Sequence, residues 1–309
     1  MNAIRFSVIV PTYNRSALIG RALDSVLSQS YPPYEVIVVD DGSDDETECV
    51  LRGYADRVTV IRQARAGPSA ARNRGVEAST GDWLSFLDSD DWYYPDRLRL
   101  YAQWIEREPG LECIFGVTDW MDAGGTLISM NLAELESGRR LLKTAGKSIE
   151  AKLTVDDLEA FAFETIGSTN TVSLRRDRFL ALGGFPTQYS IGEDRFLWLK
   201  VAAHCSQMGV ILQSSACYTT HDGRTFQRGT LSANKVSVRC EIGILKASEG
   251  YPASLRLGIR RRLCTARRDL GHAYIRNGQH MQAICAVLPS LWENPGYASV
   301  RNLLSMLRG

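Results

Sequence analysis

Three carboxylates fall within four residues at Asp88-Ser89-Asp90-Asp91. Such a cluster repels itself unless water or a cation screens it. Asp88 and Asp90 stand two apart, so in an extended chain both face the same way. Hard carboxylate oxygens of this kind suit Mg2+ or Mn2+, above all when phosphate oxygens complete the shell. The same acids also suit the start of a helix at Pro95-Asp96-Arg97-Leu98, where they would cap free N–H groups. The apolar run Trp83-Leu84-Ser85-Phe86-Leu87 directly before them strengthens the cation reading, because it places the acids at a strand end.

Other groups carry weaker signals of the same kind. Asp40-Asp41-Gly42-Ser43 is either a strand-ending turn or a carboxylate accepting hydrogen bonds from a ligand amide such as a pyrimidine N–H. In Pro11-Thr12-Tyr13-Asn14-Arg15 the tyrosine ring can stack on a nucleobase or simply cover a sheet edge. Glu193-Asp194 opens a helical stripe, so the pair either meets the macrodipole or supplies a general base for an attacking hydroxyl. His221, just after a strand, is either structural or a metal ligand.

The elements that must position these groups alternate along the first hundred residues. Phe6–Val10, Val36–Val39, Val58–Ile61 and Trp83–Leu87 are short apolar runs that predict buried strands. Between them, Leu18, Ile19, Ala22, Leu23, Val26 and Leu27 form one helical stripe, 46–55 predicts a second helix, and a third runs through Ala71-Arg72-Asn73 to Gly81. Repeated β-α units of this kind predict a mostly parallel sheet covered by helices on both faces. In such sheets ligands bind at the carboxyl ends of the strands. The rule selects PTYN, DDGS and DSDD, three polar and tightly turning segments.

Beyond residue 110 the pattern predicts strands at Cys113–Val117 and Thr169–Leu174, a strand that starts with Val210-Ile211-Leu212 and ends near His221, and helices at Arg176–Leu182 and Asp194–Ala203. The polar, glycine-dotted stretch 123–152 reads as an insertion or mobile loop. From about 231 the chain turns helical, and 263–294 resembles one tetratricopeptide-type helix pair, a lone unit read as a helical cap.

Composition is that of an ordinary globular protein: 309 residues, 44% hydrophobic, 23% charged, formal net charge +1. The seven cysteines show no CxxC or Cys/His ligand spacing and read as reduced thiols, mostly core filler. Apolar stretches are strand-sized, short of the roughly 18–20 residues that span a bilayer. The expected location is therefore cytoplasmic. The small net charge hides an asymmetry, with −8 over residues 1–221 and +9 over 222–309. Leu255, Leu257, Ile259 and Leu263 interleave with arginines over 255–268, a segment that could lie on the inner face of an anionic membrane or pack on acidic protein surface. Nucleic acid is not expected, since no aromatic-interleaved stripe accompanies the arginines.

Taken in order, SVIVPTYNR, EVIVVDDGSDDET, GPSAARNRGVEASTGDWLSFLDSDD with YPDRL, GGF, GEDRFLWLK and a late histidine resemble an inverting family 2 glycosyltransferase of GT-A fold over about residues 5–222. The resemblance implies a nucleotide-sugar donor (a UDP-sugar by family frequency), Mn2+ or Mg2+, and a glycan, lipid-linked or polymer acceptor in bacterial surface polysaccharide assembly. It implies that Pro11, Thr12, Tyr13, Asp41, Arg72, Asp88 and Ser89 hold the nucleotide sugar, and that Asp90, with Asp88 and His221, holds the cation. Asp194 takes the base position, with Glu193, Asp91 and Trp198 on the acceptor side. The implied organisation is a catalytic domain over 1–222, with a nucleotide half 1–115 and an acceptor half 116–222, followed by a basic helical region over 223–309. A sugar nucleotidylyltransferase or a Rossmann oxidoreductase would show a glycine-rich loop after the first strand, which PTYNRSALIG lacks. A degenerate, non-catalytic binding module is the rival that keeps the same motifs.

Overall fold

The structure is a computed structural model that describes residues 3–122, 124–164, 166–189, 191–220 and 230–307. His221 lies outside the described residues. The chain divides into two compact units: one from the described residues of Met1–Thr154 and Ile166–Asp222, the other from those of Val155–Thr165 and Gly223–Gly309.

The first unit begins with the alternation expected: β1 (Phe6–Thr12), α1 (Ile19–Leu27), β2 (Glu35–Asp40), α2 (Thr47–Arg52), β3 (Thr59–Arg62), α3 (Pro68–Ala78) and β4 (Trp83–Phe86). These strands pair in parallel in the order β3-β2-β1-β4, with Val8 opposite Val36 and Ile9 opposite both Ile37 and Phe86. β1 and β4 are buried along their whole length, which is why they read as unbroken apolar runs. α1 turns Ile19, Ala22, Leu23 and Val26 inward as the stripe predicts. α3 stops at Ala78, before Gly81, because the Ser79 hydroxyl turns back onto the Val76 carbonyl at 2.8 Å.

The second half of the sheet is mixed. It comprises β5 (Trp92–Tyr93), α4 (Arg97–Arg107), β6 (Cys113–Met121), β7 (Leu127–Ile128), α5 (Glu136–Ala145) and β8 (Glu150–Leu153). In the second unit α6 (Leu158–Glu164) follows, and the sheet then resumes with β9 (Ser173–Arg175), α7 (Arg176–Ala181), α8 (Glu193–His204) and β10 (Met208–Thr219). β9 runs antiparallel between β4 and β6, while β6 and β10 pair in parallel.

Two local expectations change. The 123–152 stretch carries a ten-residue helix, α5, whose buried stripe of Ser137, Gly138 and Leu141 is too small-sided to give an apolar period. Residues 169–171 form a 3-10 turn closed by a Ser168/Thr171 capping box, so only Ser173–Arg175 remains extended. β10 ends at Thr219, where the strand before His221 is expected to end, although Gln213-Ser214-Ser215 interrupts its apolar run where the register with β6 shifts.

The second unit contains α6 with α9 (Leu231–Ala247), α10 (Ala253–Arg276), α11 (His280–Val287), α12 (Ser290–Glu293) and α13 (Tyr297–Leu307). The segment 155–164 therefore belongs with the helices and not with the sheet, where a single boundary at 222 puts it. The cause is a close helix crossing at Gly258, where a Cβ would stand 2.2 Å from the Glu159 carbonyl oxygen and 2.7 Å from Ala162 Cβ. Arg261 fastens the same crossing through Glu159 at 2.7 Å and the Phe163 ring at 4.4 Å. Leu255, Ile259 and Leu263 are fully buried in this unit. Arg261, Arg262 and Arg267 meet Glu159, Glu241 and Glu293. The 255–268 segment thus spends its apolar residues on a protein core and does not offer them to a membrane; its remaining exposed large hydrophobic is Leu257. No helix among the described residues is long and apolar enough to cross a membrane. Five cysteines are buried, while Cys49 and Cys285 are exposed.

Candidate active site

PTYN follows β1, DDGS follows β2 and DSDD follows β4, at the carboxyl ends of three adjacent parallel strands. The first two loops are fastened to each other. Asn14 N–H donates to Ser43 Oγ (3.0 Å), Arg15 N–H to Thr47 Oγ1 (2.9 Å) and Ser16 N–H to Asp45 (3.1 Å). Asn14 takes a left-handed conformation, φ 51°, and its amide bonds Asp44 at 2.6 Å. Asp41 is buried, and its carboxylate accepts from Gln63 Nε2 (2.7 Å), Ala66 N–H (2.8 Å) and Gly67 N–H (2.7 Å). Those three bonds leave one carboxylate lone pair for a ligand. Tyr13 is half-buried, and the Arg65 guanidinium covers its ring at 4.1 Å. Thr12 Oγ1 is buried with no partner, an unmet hydrogen bond at the strand end where a ligand is expected.

The DSDD acids have separate environments. Asp88 Oδ1 lies 2.7 Å from Arg72 Nη2, and Arg72 Nη1 lies 3.1 Å from Glu193 Oε1. Arg72 is 4% exposed, so it does not reach out to a nucleotide; it ties the end of β4 to the start of α8. Burial pulls its guanidinium down, but Asp88 and Glu193 together more than offset that and raise it. Burial, then Asp194, pushes the Glu193 carboxyl up, with Arg72 opposing in part. Ser89 is buried between the acids in sequence. Asp90 is partly exposed and has Arg15 Nε at 3.5 Å. Its backbone carbonyl accepts from Arg21 Nη2 at 2.7 Å, and the same nitrogen reaches Thr219 Oγ1 at 2.8 Å.

Asp91 and Trp198 do not fit the acceptor contacts expected of them. Asp91 is 1% exposed, and it accepts from Thr219 N–H (3.0 Å) and Asn170 Nδ2 (2.9 Å). Burial, then Asp90 and Asp88, pushes its carboxyl well up. It caps no helix either, since α4 starts behind Asp96. Trp198, also 1% exposed, packs among Phe86, Phe115 and Phe185, with ring centroids 6.5, 6.1 and 5.7 Å away. Phe185 in turn lies under the Arg72 guanidinium at 5.1 Å. The GGF motif enters here: Gly184, at φ 71°, leaves room for Asn73, whose side-chain oxygen would stand 2.7 Å from a Cβ. Asn73 bonds both the N–H (2.9 Å) and the carbonyl (2.8 Å) of Phe185. Asp194 is half-buried in the first turn of α8 and accepts from the Arg195 N–H at 2.6 Å.

A cation would find a sparse protein shell. No group of three His, Cys, Asp or Glu side chains able to hold a metal occurs among the described residues. Asp88 gives one oxygen to Arg72, and Asp91 is enclosed. Asp90 is partly exposed beside Arg15, and a carboxylate with diphosphate oxygens is a donor set that suits Mg2+ or Mn2+.

Arg15, Arg21, Asn73, Asn170 and Thr219 are the supporting residues that motif reading missed. Asn73 was within reach, because ARN opens the turn of α3 that faces the sheet; the other four depend on distant parts of the chain.

The mixed α/β sheet, with polar, acid-rich loops at the carboxyl ends of its first parallel strands, has the GT-A fold. The family model described as Glycosyl transferase family 2 matches residues 7–149. An uncharacterized glycosyltransferase of Haemophilus influenzae is 31% identical over 198 residues, 63% of this chain and 61% of the relative. The chain spans a smaller share, 36%, of a Rickettsia conorii relative that it matches at 29% identity over 77% of its own length. Among solved structures, S. aureus TarS 1–349 in complex with UDP-GlcNAc superposes with a TM-score of 0.65 at 18% identity, covering 99% of this chain and 90% of TarS 1–349. Mannosyltransferase PcManGT from Pyrobaculum calidifontis, in complex with GDP-Man and Mn2+, gives 0.59 at 19% identity, covering 99% and 80%.

Proposed function

We propose that this chain transfers a sugar from a nucleotide sugar to an acceptor hydroxyl with inversion at the anomeric carbon. The observation that carries the reading is the Arg72 bridge, which joins Asp88 on the donor strand to Glu193 beside Asp194. The segment after β4 and the first turn of α8, which carries the candidate base, are thereby tied together. The nucleotide would lie across Pro11, Thr12, Tyr13 and Asp41, with the unmet Thr12 hydroxyl among its partners. Asp88 and Ser89 border its ribose and diphosphate, and Arg72 acts from behind by fixing Asp88.

Asp194 takes the proton of the acceptor hydroxyl as its oxygen bonds to C1. The C1–O bond to the diphosphate breaks, and the nucleoside diphosphate leaves with the electron pair. Single displacement inverts the configuration, through a transition state of oxocarbenium character. A divalent cation at Asp90, with His221 as a further candidate ligand, supplies Lewis-acid stabilisation of the leaving charge when bound. Glu193 borders the acceptor side and keeps Arg72 in place.

A UDP-sugar is the proposed donor; structural neighbours have been solved with UDP-GlcNAc and with GDP-Man. The proposed acceptor is a glycan, lipid-linked or polymer hydroxyl of a bacterial surface polysaccharide. Calorimetry of UDP, dTDP and GDP, each with Mn2+ and then with EDTA, tests the donor half. Metal-dependent binding of one nucleotide supports it, and no binding of any by folded protein removes it.

A further inference from the structure

Two arginine–aspartate pairs hold the DSDD segment, and they differ in how firmly they are made. Arg72 and Asp88 meet at 2.7 Å around a buried guanidinium. Arg15 and Asp90 meet at 3.5 Å, from Nε to Oδ2, and their side chains are 23% and 21% exposed. At that distance the contact is an ion pair and not a well-made hydrogen bond. The Arg15 guanidinium also donates from Nη1 to the Asn14 carbonyl at 3.1 Å.

The backbone on each side of this pair is fixed by other bonds. The Arg15 N–H donates to Thr47 Oγ1 at 2.9 Å, and the Arg15 carbonyl accepts from the N–H groups of Leu18 and Ile19 at the start of α1. The Asp90 carbonyl is held by Arg21, and the Asp91 N–H closes a turn onto the Asp88 carbonyl at 3.0 Å. The Arg15 side chain can therefore change partners while both loops keep their shape.

We propose that Arg15 makes cation and nucleotide depend on each other at Asp90, a role that rests on Asp90 being the carboxylate that receives the cation. A guanidinium this close competes with a divalent cation for Asp90 and repels it. A diphosphate offers Arg15 several anionic oxygens, which a guanidinium engages two at a time and more strongly than one long contact to a carboxylate. Arg15 passes to the diphosphate when the nucleotide binds, and Asp90 is released toward the cation. Asp88 takes no part in the exchange, because its partner Arg72 is buried and bonded to Glu193 as well. The coupling is reciprocal: the factor by which nucleotide raises cation affinity is the factor by which the cation raises nucleotide affinity.

The test follows free Mn2+ by electron paramagnetic resonance in titrations of the full chain, without nucleotide and with UDP, dTDP or GDP. A protein-free titration subtracts the Mn2+ that nucleotide holds in solution. In the parent, the nucleotide that binds should raise Mn2+ affinity at least about tenfold. Without nucleotide, Arg15→Gln should bind Mn2+ at least about tenfold more tightly than the parent. The same variant should bind nucleotide more weakly in EDTA and lose most of the nucleotide's effect on Mn2+. Damage to the loop would lower Mn2+ affinity, so a gain separates the proposed role from a structural one. Arg15→Lys keeps a charge beside Asp90 and should bind Mn2+ without nucleotide as weakly as the parent. Equal Mn2+ affinity with and without nucleotide in the parent overturns the proposal, and that comparison stands whether or not Arg15→Gln folds. So does a folded Arg15→Gln that binds Mn2+ no better than the parent while Asp90→Asn weakens binding. If Asp90→Asn leaves Mn2+ affinity with nucleotide unchanged, the proposed role of Asp90 fails, and the role of Arg15 falls with it.

Discussion

Asp88 and Glu193 are held at opposite ends of one buried guanidinium, that of Arg72, at 2.7 and 3.1 Å. The two acids lie 105 positions apart in sequence, and Arg72 makes them neighbours. Removing the cation would leave the largely buried Glu193 facing Asp88 and Asp194 without compensation. Arg72→Met should cost about 3 kcal/mol of stability in urea unfolding. Arg72→Lys can satisfy only one of the acids, so it should recover part of that stability but little nucleotide affinity.

Asp194→Asn keeps the shape of the first turn of α8 and removes the proton acceptor. Transfer should fall by roughly 10²–10⁴-fold, the usual weight of a general base. Affinity for the nucleoside diphosphate should change little, because the donor loops are on other strands. Product formation measured beside calorimetric binding separates the two; full activity would dismiss Asp194 as the base.

Asp90→Asn should abolish the difference between nucleotide affinities measured with Mn2+ and with EDTA. Arg21 provides a control that acts through position. It holds the Asp90 carbonyl and Thr219 and stacks on Trp92 at 4.3 Å, without touching the carboxylate. Arg21→Met should weaken the Mn2+-dependent part of binding and leave the EDTA value unchanged. If both nucleotide affinities fell equally, Arg21 would be supporting the fold and not the direction of Asp90.

The positions of the three loops were legible because β1 and β4 are buried along their whole length and β2 nearly so, and all three therefore read as uninterrupted apolar runs. The acid pair at 193–194 was legible too, since an apolar helical stripe follows it directly. Burial of Asp91 and Trp198 was not. Their enclosure comes from Thr219, Asn170, Phe115 and Phe185, which are distant in sequence and fall in segments with weak periodicity. The assignment of 155–164 to the helical unit failed to show for a similar reason. Its partner surface is Gly258, and a glycine inside a helix announces a close approach without saying to what.

Glu35 gives the pH-dependent prediction. Its Oε1 accepts from Ser7 Oγ (2.6 Å), Thr80 N–H (2.6 Å) and Gly81 N–H (3.1 Å), so one carboxylate joins β1, β2 and the turn before β4. Partial burial pushes its carboxyl up, but these hydrogen bonds outweigh burial and hold it below the ordinary glutamate range. The ionised form is the one the fold favours. Its contribution is therefore present above the unfolded glutamate range and lost as pH falls through the depressed folded value. Glu35→Gln should be destabilised by about 2 kcal/mol at pH 7. The gap to the parent should close as pH falls below the glutamate range, and a gap independent of pH would mean that charge plays no part.

Gly258 decides whether the helical unit can form its innermost crossing. A methyl group there would meet the Glu159 carbonyl oxygen at 2.2 Å, a backbone atom that cannot swing aside, and Ala162 Cβ at 2.7 Å. In an exposed helix the same change would stabilise, since alanine is the better helix former by about 1 kcal/mol. Here overpacking should win, and Gly258→Ala should cost about 1–3 kcal/mol. The loss should appear in the protection of α6 and α10 amides against hydrogen exchange, while β1, β2 and β4 keep theirs. A stabilised variant would mean that α6 and α10 are not packed together at Gly258.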